Sequence, residues 1–428
     1  MWRVSYRVFR ALSGAWFRIT RRFTGAGYLA LGTLVTAGAL GIDTNQTLAY
    51  QIFSFLCALL AASLIASLLL RPEFRITRVL PRMITAGQAF DYPVLVKNLG
   101  SRPADGLALL EDQADPRPTL AEFRSALKFP SYRGWWRLTL RNQVARIDET
   151  IVPALAPRAA AEVRVRGLAY RRGTLMLDGA TVARADPMGL MRSLARAGPP
   201  GKIIVLPRRY NLPTLALPGV RRYQHGGVTL ASSVGESEEF MSLRDYRPGD
   251  PLQRIHWKSY ARSGKPVVKE YQDEFFERHA LVLDTFADGD AAVFEEAVSL
   301  AASFACTLNT QESLLDLMFI GTESYCYTAG RGQLQPDSLL EILAGVRASP
   351  EQAFGRLHHA VLARRGTLSG CILILLAWDE ARQTLVRALQ QSGLPLLVLL
   401  ISEHDIDAAP AWLRVLAPGK MQEGLAQL

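Results

Sequence analysis

The chain has 428 residues, enough for two or three domains with cores of their own, and 49% of its residues are hydrophobic. Its net charge of +10 is of a size that nucleic-acid-binding proteins often carry. However, six arginines and no acidic residue lie in 1–24, and four arginines with one glutamate lie in 71–82, so the rest of the chain is nearly balanced. This uneven distribution argues against a nucleic-acid-binding face, and we expect no nucleic-acid partner.

Two uncharged apolar runs, 25–42 and 47–70, lie between the basic flanks and are joined by a short polar link. A helix needs roughly 20 apolar residues to cross about 30 Å of hydrocarbon. We therefore predict a hairpin of two transmembrane helices in 25–70, preceded by a basic leader at 1–24. Two buried core helices are one alternative, and a signal peptide cleaved near residues 37–39 is another.

The arginines also predict the orientation of this hairpin. They lie on both outer flanks and are absent from the link, which places both flanks in the cytoplasm by the positive-inside rule. The chain is then a multi-pass membrane protein with its N-terminus and its C-terminus in the cytoplasm. The lipid bilayer is its first expected partner, because the flanking arginines can contact anionic headgroups.

The segment 71–185 contains short runs in which apolar and polar residues alternate, with glycine and proline between the runs. Period-two alternation predicts half-buried antiparallel strands, and several strands at this spacing indicate an immunoglobulin-like β-sandwich domain. The predicted strands include 90–98, 136–140, 161–166 and 173–177. The next segment, 186–278, has little periodicity and reads as a long connecting region, and long ordered connections are often functional.

In the last segment, 279–428, apolar strands alternate with helices. The predicted strands are 280–284, 314–320, 371–377 and 396–401. The predicted helices are 291–309, 337–346, 352–364 and 380–391. This alternation predicts an α/β domain with a parallel sheet that is covered on both faces. Ligands bind at the carboxyl ends of such strands, and Asp284 and Asp379 both lie at that edge.

The densest mixture of charged and aromatic residues lies in 235–271, inside the connecting region. Eight of its side chains are candidate partner-binding residues: Arg244, Asp245, Tyr246, Asp250, Arg254, Trp257, Lys258 and Arg262. Such a segment can be an ion-paired structural clasp, with Ile255 and Trp257 packed inward. It can equally be an exposed docking face, because tryptophan, tyrosine and arginine anchor many protein contacts.

This segment resembles the signature of the family called domain of unknown function 58. The residues that carry the resemblance are Gly235, Glu236, Glu239, Phe240, 243–250, 254–258, Ala261 and Arg262, with 171–173 and 186–190 upstream. The order of membrane hairpin, β-domain, signature and α/β domain is also similar. The resemblance implies a multi-pass protein of the bacterial cytoplasmic (inner) membrane whose last domain is similar to von Willebrand factor type A domains, and it implies no enzymatic activity. It further implies a MoxR-type AAA+ ATPase and a transglutaminase-like membrane protein as partners.

Type A domains often bind Mg²⁺ through an Asp-x-Ser-x-Ser motif after the first strand, together with a threonine and a later aspartate. Here Asp284 matches the first position, Phe286 replaces the first serine, Asp288 replaces the second, and Asp379 fits the later aspartate. The phenylalanine removes a ligand that octahedral Mg²⁺ coordination needs. We therefore expect no cofactor, with Mg²⁺ held by the three aspartates as the alternative.

Together these observations predict a membrane-anchored, non-catalytic scaffold or adaptor whose cytoplasmic part binds a MoxR-type AAA+ ATPase. The first alternative is a Mg²⁺-dependent protein-binding module of the type A kind. The second is an uncharacterised hydrolase, although no Ser/His/Asp or Cys/His set has a recognisable local signature in the sequence.

Overall fold

A computed structural model describes most of the chain in two compact units, Met1–Leu206 and Pro207–Leu428. Each unit has a hydrophobic core of its own. The described residues are 1–40, 47–69, 73–213, 240–248, 250, 252–271, 277–286, 291–307, 313–321, 323–329, 335–349, 354–403 and 410–427.

The first unit begins with three helices that precede its sheets. The helices of this unit are α1 (Trp2–Arg22), α2 (Gly25–Leu40), α3 (Thr47–Leu69), α4 (Leu120–Ala126) and α5 (Tyr132–Asn142). Within α3, the 22 residues Leu48–Leu69 have a mean hydropathy of 2.5, so this helix is long and apolar enough to cross a membrane. Helix α2 is equally uncharged but has 16 residues, fewer than a perpendicular crossing needs.

The rest of the first unit is a β-sandwich. Its strands are β1 (Phe74–Arg78), β2 (Met83–Thr85), β3 (Ala89–Asn98), β4 (Leu107–Gln113), β5 (Ala145–Ile147), β6 (Thr150–Val152), β7 (Ala160–Ala169), β8 (Gly173–Ala185), β9 (Arg192–Arg196) and β10 (Gly201–Leu206). One sheet has the order β1-β3-β7-β5, and the other has the order β2-β10-β8-β4-β6, with β9 paired to β8. Buried residues of both sheets form one core, as the alternating pattern predicted; Val94 and Val165 of the first sheet share it with Leu177 and Val182 of the second.

Two parts of this unit differ from the sequence-based expectation. The predicted strand 136–140 is wrong, because these residues belong to helix α5. The Ser131 hydroxyl accepts a hydrogen bond from the Gly134 N–H and caps this helix, and a helical period then buries Trp135 and Leu138 on one side. In addition, β9 and β10 complete the second sheet, although their residues fall in the predicted connecting region.

The second unit contains a small hairpin and a larger sheet. The hairpin pairs β11 (Phe240–Asp245) antiparallel with β12 (Val267–Tyr271), and a 3₁₀ turn (Leu252–Arg254) and α6 (Trp257–Ser263) lie between them. The strands of the larger sheet are β13 (Glu277–Leu283), β14 (Ser313–Ile320), β15 (Ser324–Ala329), β16 (Gly370–Leu375), β17 (Leu396–Ile401) and β18 (Leu413–Leu416). Its helices are α7 (Ala291–Thr307), α8 (Pro336–Gly345), α9 (Phe354–Arg364), α10 (Glu380–Gln391) and α11 (Met421–Leu425).

The larger sheet has the strand order β15-β14-β13-β16-β17-β18. All neighbouring pairs are parallel except β14 with β15, which confirms the predicted parallel sheet and adds an antiparallel edge strand. The order reverses between β13 and β16, and a crevice opens at the carboxyl ends of two such strands. The loops that follow β13 and β16 carry Asp284 and Asp379, so this edge of the sheet is a candidate site.

Candidate functional site

Asp284 comes directly after β13 and is completely buried. One carboxylate oxygen accepts a hydrogen bond from the Phe286 N–H at 2.9 Å, and the other accepts from the Leu376 N–H at 3.1 Å. The adjacent Thr285 hydroxyl donates to the Ile320 carbonyl at 2.5 Å, so it is already committed to the backbone. These bonds fix the carboxylate between the ends of β13 and β16.

The side chain that completes this site is Arg382, in the first turn of α10. Its Nε donates to Asp284 Oδ2 at 2.6 Å, its Nη1 donates to the Asp379 carboxylate, and its Nη2 donates to the Phe286 carbonyl at 3.0 Å. The guanidinium also lies over the Phe354 ring, 4.9 Å from its centroid. Asp379 in turn caps α10 by accepting the Arg382 N–H at 2.9 Å. We call Asp284, Asp379 and Arg382 the carboxylate–arginine centre.

Burial and charge act in opposite directions in this centre. Burial alone would lower the pKa of Arg382, but the hydrogen bonds and charges of Asp284 and Asp379 outweigh it and raise the pKa. Burial raises the pKa of Asp284, and the guanidinium opposes that effect. Because an arginine keeps its proton, the centre carries a permanent internal cation.

The centre does not fit a Mg²⁺ ion as it is arranged. The guanidinium occupies the space between the two carboxylates, and the Phe286 ring packs edge-on against Phe354 with centroids 5.7 Å apart. Asp288, the third predicted ligand, lies outside the described residues. Among the residues that are described, no group of three His, Cys, Asp or Glu side chains is placed to hold a metal ion.

Arg382 was not predicted from the sequence as a site residue, although its position in a helix gave one signal. A basic residue in the first turn of a helix opposes the helix dipole, and an acidic partner nearby offsets that cost. Asp379 three residues earlier is one partner, and Asp284 is the other, 98 residues away in the chain. Only the fold brings that second partner into contact.

The signature segment forms a clasp on one side. Arg244 donates two hydrogen bonds to the Asp250 carboxylate, at 2.7 and 2.8 Å, and the Arg247 N–H adds a third at 2.8 Å. These bonds, with the hydrogen bond from Arg244 first, lower the pKa of Asp250 to about 2. Ile255 forms a β-bridge with Val268, and both side chains are buried, so the predicted clasp with Ile255 packed inward is present.

The other side of the same segment is exposed. Trp257, which the clasp alternative packs inward, is 61% exposed at the start of α6. Its ring meets the edge of Tyr260 at 6.1 Å, and Leu252 in the preceding 3₁₀ turn is exposed as well. We call Leu252, Trp257 and Tyr260 the Trp257 face. Lys258 and Arg262 of α6 are also exposed.

The remaining predicted partner-binding residues divide between the two sides. Asp245 is exposed at the end of β11, and Tyr246 is half-buried, with its backbone N–H donating to the Pro266 carbonyl at 3.0 Å. The side chain of Arg254 lies outside the described set. The segment therefore combines the two alternatives, since an ion-paired clasp holds a short helix whose aromatic side chains face outward.

One comparison with known proteins begins in this segment and extends into the larger sheet. Residues 242–369 match the family model described as protein of unknown function DUF58, which confirms the resemblance seen in the sequence. The chain is also 24% identical over 192 residues to the uncharacterized protein YeaD of Bacillus subtilis, across 44% of this chain and 47% of that protein. It therefore spans about half the length of this curated relative.

Solved structures that match the chain do so at low TM-scores. The CARDB domain of the PF1109 protein from Pyrococcus furiosus is 14% identical, with 32% of this chain and 90% of that chain covered and a TM-score of 0.19. WR4, a member of the MSP family from C. elegans, is 7% identical, with 31% and 96% covered and a TM-score of 0.16. Values this low assign neither a fold nor a function to the chain.

Proposed function

We propose that this chain, a member of the DUF58 family, is a membrane-anchored, non-catalytic adaptor that binds a partner protein through the Trp257 face. The observation that carries the proposal is the outward position of Trp257 and Tyr260 on a segment whose other side is clasped. Exposed aromatic side chains on a pre-ordered element are typical of the residues that dominate protein interfaces, because binding then costs little ordering entropy.

Charge indicates what kind of partner this is. The described part of the signature, 240–271, has seven basic residues and three acidic ones, and Asp250 is already paired with Arg244. The exposed Lys258 and Arg262 belong to the same short helix as the aromatic rings, so an acidic surface with an apolar patch would complement this face. The family resemblance supplies the candidates, first a MoxR-type AAA+ ATPase and second a transglutaminase-like membrane protein.

The anchor in this proposal is the pair α2 and α3, which together cross the bacterial inner membrane as a hairpin. Helix α3 has the length for a full crossing, and α2 would cross with its flanking residues near the interface. The arginines of 1–24 and 71–82 favour a cytoplasmic position for both flanks. On this arrangement both units of the chain meet partners from the cytoplasm.

The carboxylate–arginine centre favours an adaptor over the Mg²⁺-dependent alternative. The strand order of the larger sheet, with its antiparallel edge strand, supports the comparison with type A domains. The position that a metal would take between Asp284 and Asp379 is filled by Arg382, so partner binding here would need no metal. Asp284 is buried and already accepts hydrogen bonds from Arg382 and two backbone N–H groups, which does not favour a role as the general base of a hydrolase.

The test is binding of the full chain, purified in nanodiscs, to the MoxR-type ATPase from the same organism. Replacing both Trp257 and Tyr260 by alanine should weaken binding roughly thirtyfold, the effect of losing about 2 kcal/mol at an interface hot spot. The melting temperature should stay unchanged, because both side chains are exposed. Trp412→Ala is the matched control, since Trp412 is also exposed in the second unit but lies outside the signature. Unchanged binding of the double variant would remove the Trp257 face from the interface.

A further inference from the structure

Helix α1 has a face that packs on its own unit. Trp2, Tyr6 and Phe9 contact a small aromatic core formed by Phe123 of α4 and Trp135 of α5. Ring centroids are 5.4 Å apart for Trp2 with Phe123 and 5.5 Å apart for Tyr6 with Trp135, and both pairs meet edge to face. This core fixes the rotation of α1 about its axis, and therefore fixes where its other faces point.

A second face of α1 is apolar and exposed. Large hydrophobic side chains recur along it at intervals of three or four residues, which places them on one side of the helix. These are Val4, Val8, Leu12, Trp16 and Ile19. We call them the α1 stripe. A continuous exposed stripe of this kind on a water-soluble surface marks an interaction site.

The third face of α1 is basic. A cleft of about 500 Å³ lies along it, and its lining includes Arg7, Arg10 and Arg18, together with Arg117 from the loop before α4. One acidic residue, Asp115, contacts two of these, at 2.7 Å from Arg117 and 3.9 Å from Arg10. Four guanidinium groups with one carboxylate leave the cleft strongly positive, and arginine is the side chain best suited to phosphate.

The position of α1 along the chain suggests what covers these two faces. Phe23 has an extended backbone and ends α1, and the Thr24 hydroxyl accepts the Gly27 N–H at the start of α2. The Thr24 hydroxyl and N–H also donate to the Gly189 and Leu190 carbonyls, so the bend between the two helices is fixed. Helix α1 is thus a separate, rigidly held helix at the end of the apolar pair α2 and α3.

We propose that α1 lies in the plane of the membrane surface, with the α1 stripe in the headgroup–acyl boundary and the cleft arginines on the phosphate of an anionic phospholipid. An in-plane helix needs an apolar stripe for the acyl boundary and basic side chains for the headgroups, and α1 has both. Its packed face would then hold the β-sandwich against the bilayer. This inference rests on the proposed membrane anchor but is independent of the Trp257 face.

The first experiment measures the depth of α1 in the full chain, reconstituted in nanodiscs with the exposed cysteines Cys57 and Cys306 replaced by serine. A spin label at Leu12 should collide with oxygen dissolved in lipid and lose access to a water-soluble nickel reagent. A label at Arg3, which is on the basic side of the same helix and would stay at the level of the headgroups, should keep more of that access and is the matched control. Equal nickel access at both positions would overturn the proposal. Failure of the chain to enter nanodiscs would instead overturn the membrane anchor itself.

The second experiment tests the cleft with phosphatidylglycerol as the probe. Nanodiscs of phosphatidylcholine with a minority of phosphatidylglycerol are dissolved, and the lipids retained on the full chain are counted by native mass spectrometry. Arg7→Glu with Arg18→Glu should reduce retained phosphatidylglycerol at least about tenfold, since each basic residue near an anionic surface contributes to binding. Arg146→Glu with Arg164→Glu makes the same charge change on exposed strand positions and should reduce it little.

Two results would contradict the lipid assignment. Equal losses in both double variants would mean that net charge alone, and no particular site, retains the lipid. Displacement of the lipid by inorganic phosphate at constant ionic strength would mean that the cleft takes free phosphate. Loss confined to the Arg7 and Arg18 variant, resistant to phosphate, supports the cleft as a phospholipid site.

Discussion

The second unit contains two arginine–aspartate ion pairs, one buried and one exposed. In the carboxylate–arginine centre, Arg382 and Asp284 are 1% and 0% exposed, and their charges have no contact with water. In the signature segment, Arg244 and Asp250 are 37% and 16% exposed, although their hydrogen bonds, at 2.7 and 2.8 Å, are nearly as short as the 2.6 Å bond between Arg382 and Asp284. A buried charge is costly to leave without its partner, whereas an exposed pair is solvated whether it forms or not. The first pair therefore holds the sheet edge together, and the second mainly orients the segment that carries the Trp257 face.

The largest expected effect comes from breaking the buried pair. Asp284→Asn keeps the shape of the side chain but leaves the Arg382 guanidinium buried beside a neutral amide. We expect the free energy of unfolding of the larger sheet to fall by about 3–5 kcal/mol, because the asparagine NH₂ group has no lone pair for the N–H donors that the carboxylate oxygens now accept. Urea titration of the full chain, read by hydrogen exchange in β13 and β16, measures this change.

Asp379→Asn is the control for that substitution. Asparagine still caps α10, and the Asp379 side chain is 40% exposed, so solvent can compensate for part of the lost charge. The effect should be clearly smaller than that of Asp284→Asn. Equal effects would mean that burial does not distinguish the two carboxylates.

The exposed Arg244–Asp250 pair should lose its contribution to stability at acid pH, because the pKa of Asp250 is lowered in the folded segment. The pKa of Asp250 is lowered to about 2 by Arg244 and by the Arg247 N–H, from an ordinary value near 4. The folded segment therefore binds fewer protons than the unfolded one between these values. Its contribution to stability is present above pH 4 and is lost as the pH falls towards 2. Faster exchange of the Arg247 N–H over that window, corrected for intrinsic rates, measures it.

The contrast with the buried pair sharpens this prediction. Burial raises the pKa of Asp284, so this carboxyl contributes no loss of stability as the pH falls from 4 to 2. Amides at the ends of β13 and β16 should stay protected over the window in which the Arg247 amide opens. Asp250→Asn should abolish the acid response of the clasp. If the response persists in that variant, another group is responsible for it.

Much of the fold of the second unit could be predicted from the sequence, whereas one helix of the first unit could not. Four of the parallel strands, β13, β14, β16 and β17, were predictable because they are continuous apolar runs, whereas the short edge strand β18 was not predicted. Helix α10 begins and ends at its predicted residues because Asp379 is a strong cap. The pattern at 136–140 fits a strand and a helix equally, and the capping Ser131 decides between them. Local sequence cannot settle such a case from periodicity alone.

The candidate site was only partly predictable for a related reason. Asp284 and Asp379 were found because strand ends can be located, but Arg382 reaches Asp284 across 98 residues, which no local pattern records. Ile255 and Trp257 are two residues apart, and the clasp alternative packed both of them inward. Ile255 pairs with Val268 just after the 3₁₀ turn, whereas Trp257 begins α6, so one side chain is buried and the other is exposed.

The smallest expected effect tests whether the buried cation truly replaces a metal. Adding MgCl₂ to the full chain should leave its melting temperature unchanged, apart from the ionic-strength effect that an equivalent amount of NaCl gives. That control is needed because salt screens the exposed Arg244–Asp250 pair, whereas the buried pair is hardly screened. A bound ion present at a hundred times its dissociation constant would stabilise the fold by about 2.7 kcal/mol, which melting detects easily. A Mg²⁺-specific rise that Asp284→Ala removes would bring back the metal-dependent alternative, because the ion would then have to displace Arg382 from both carboxylates.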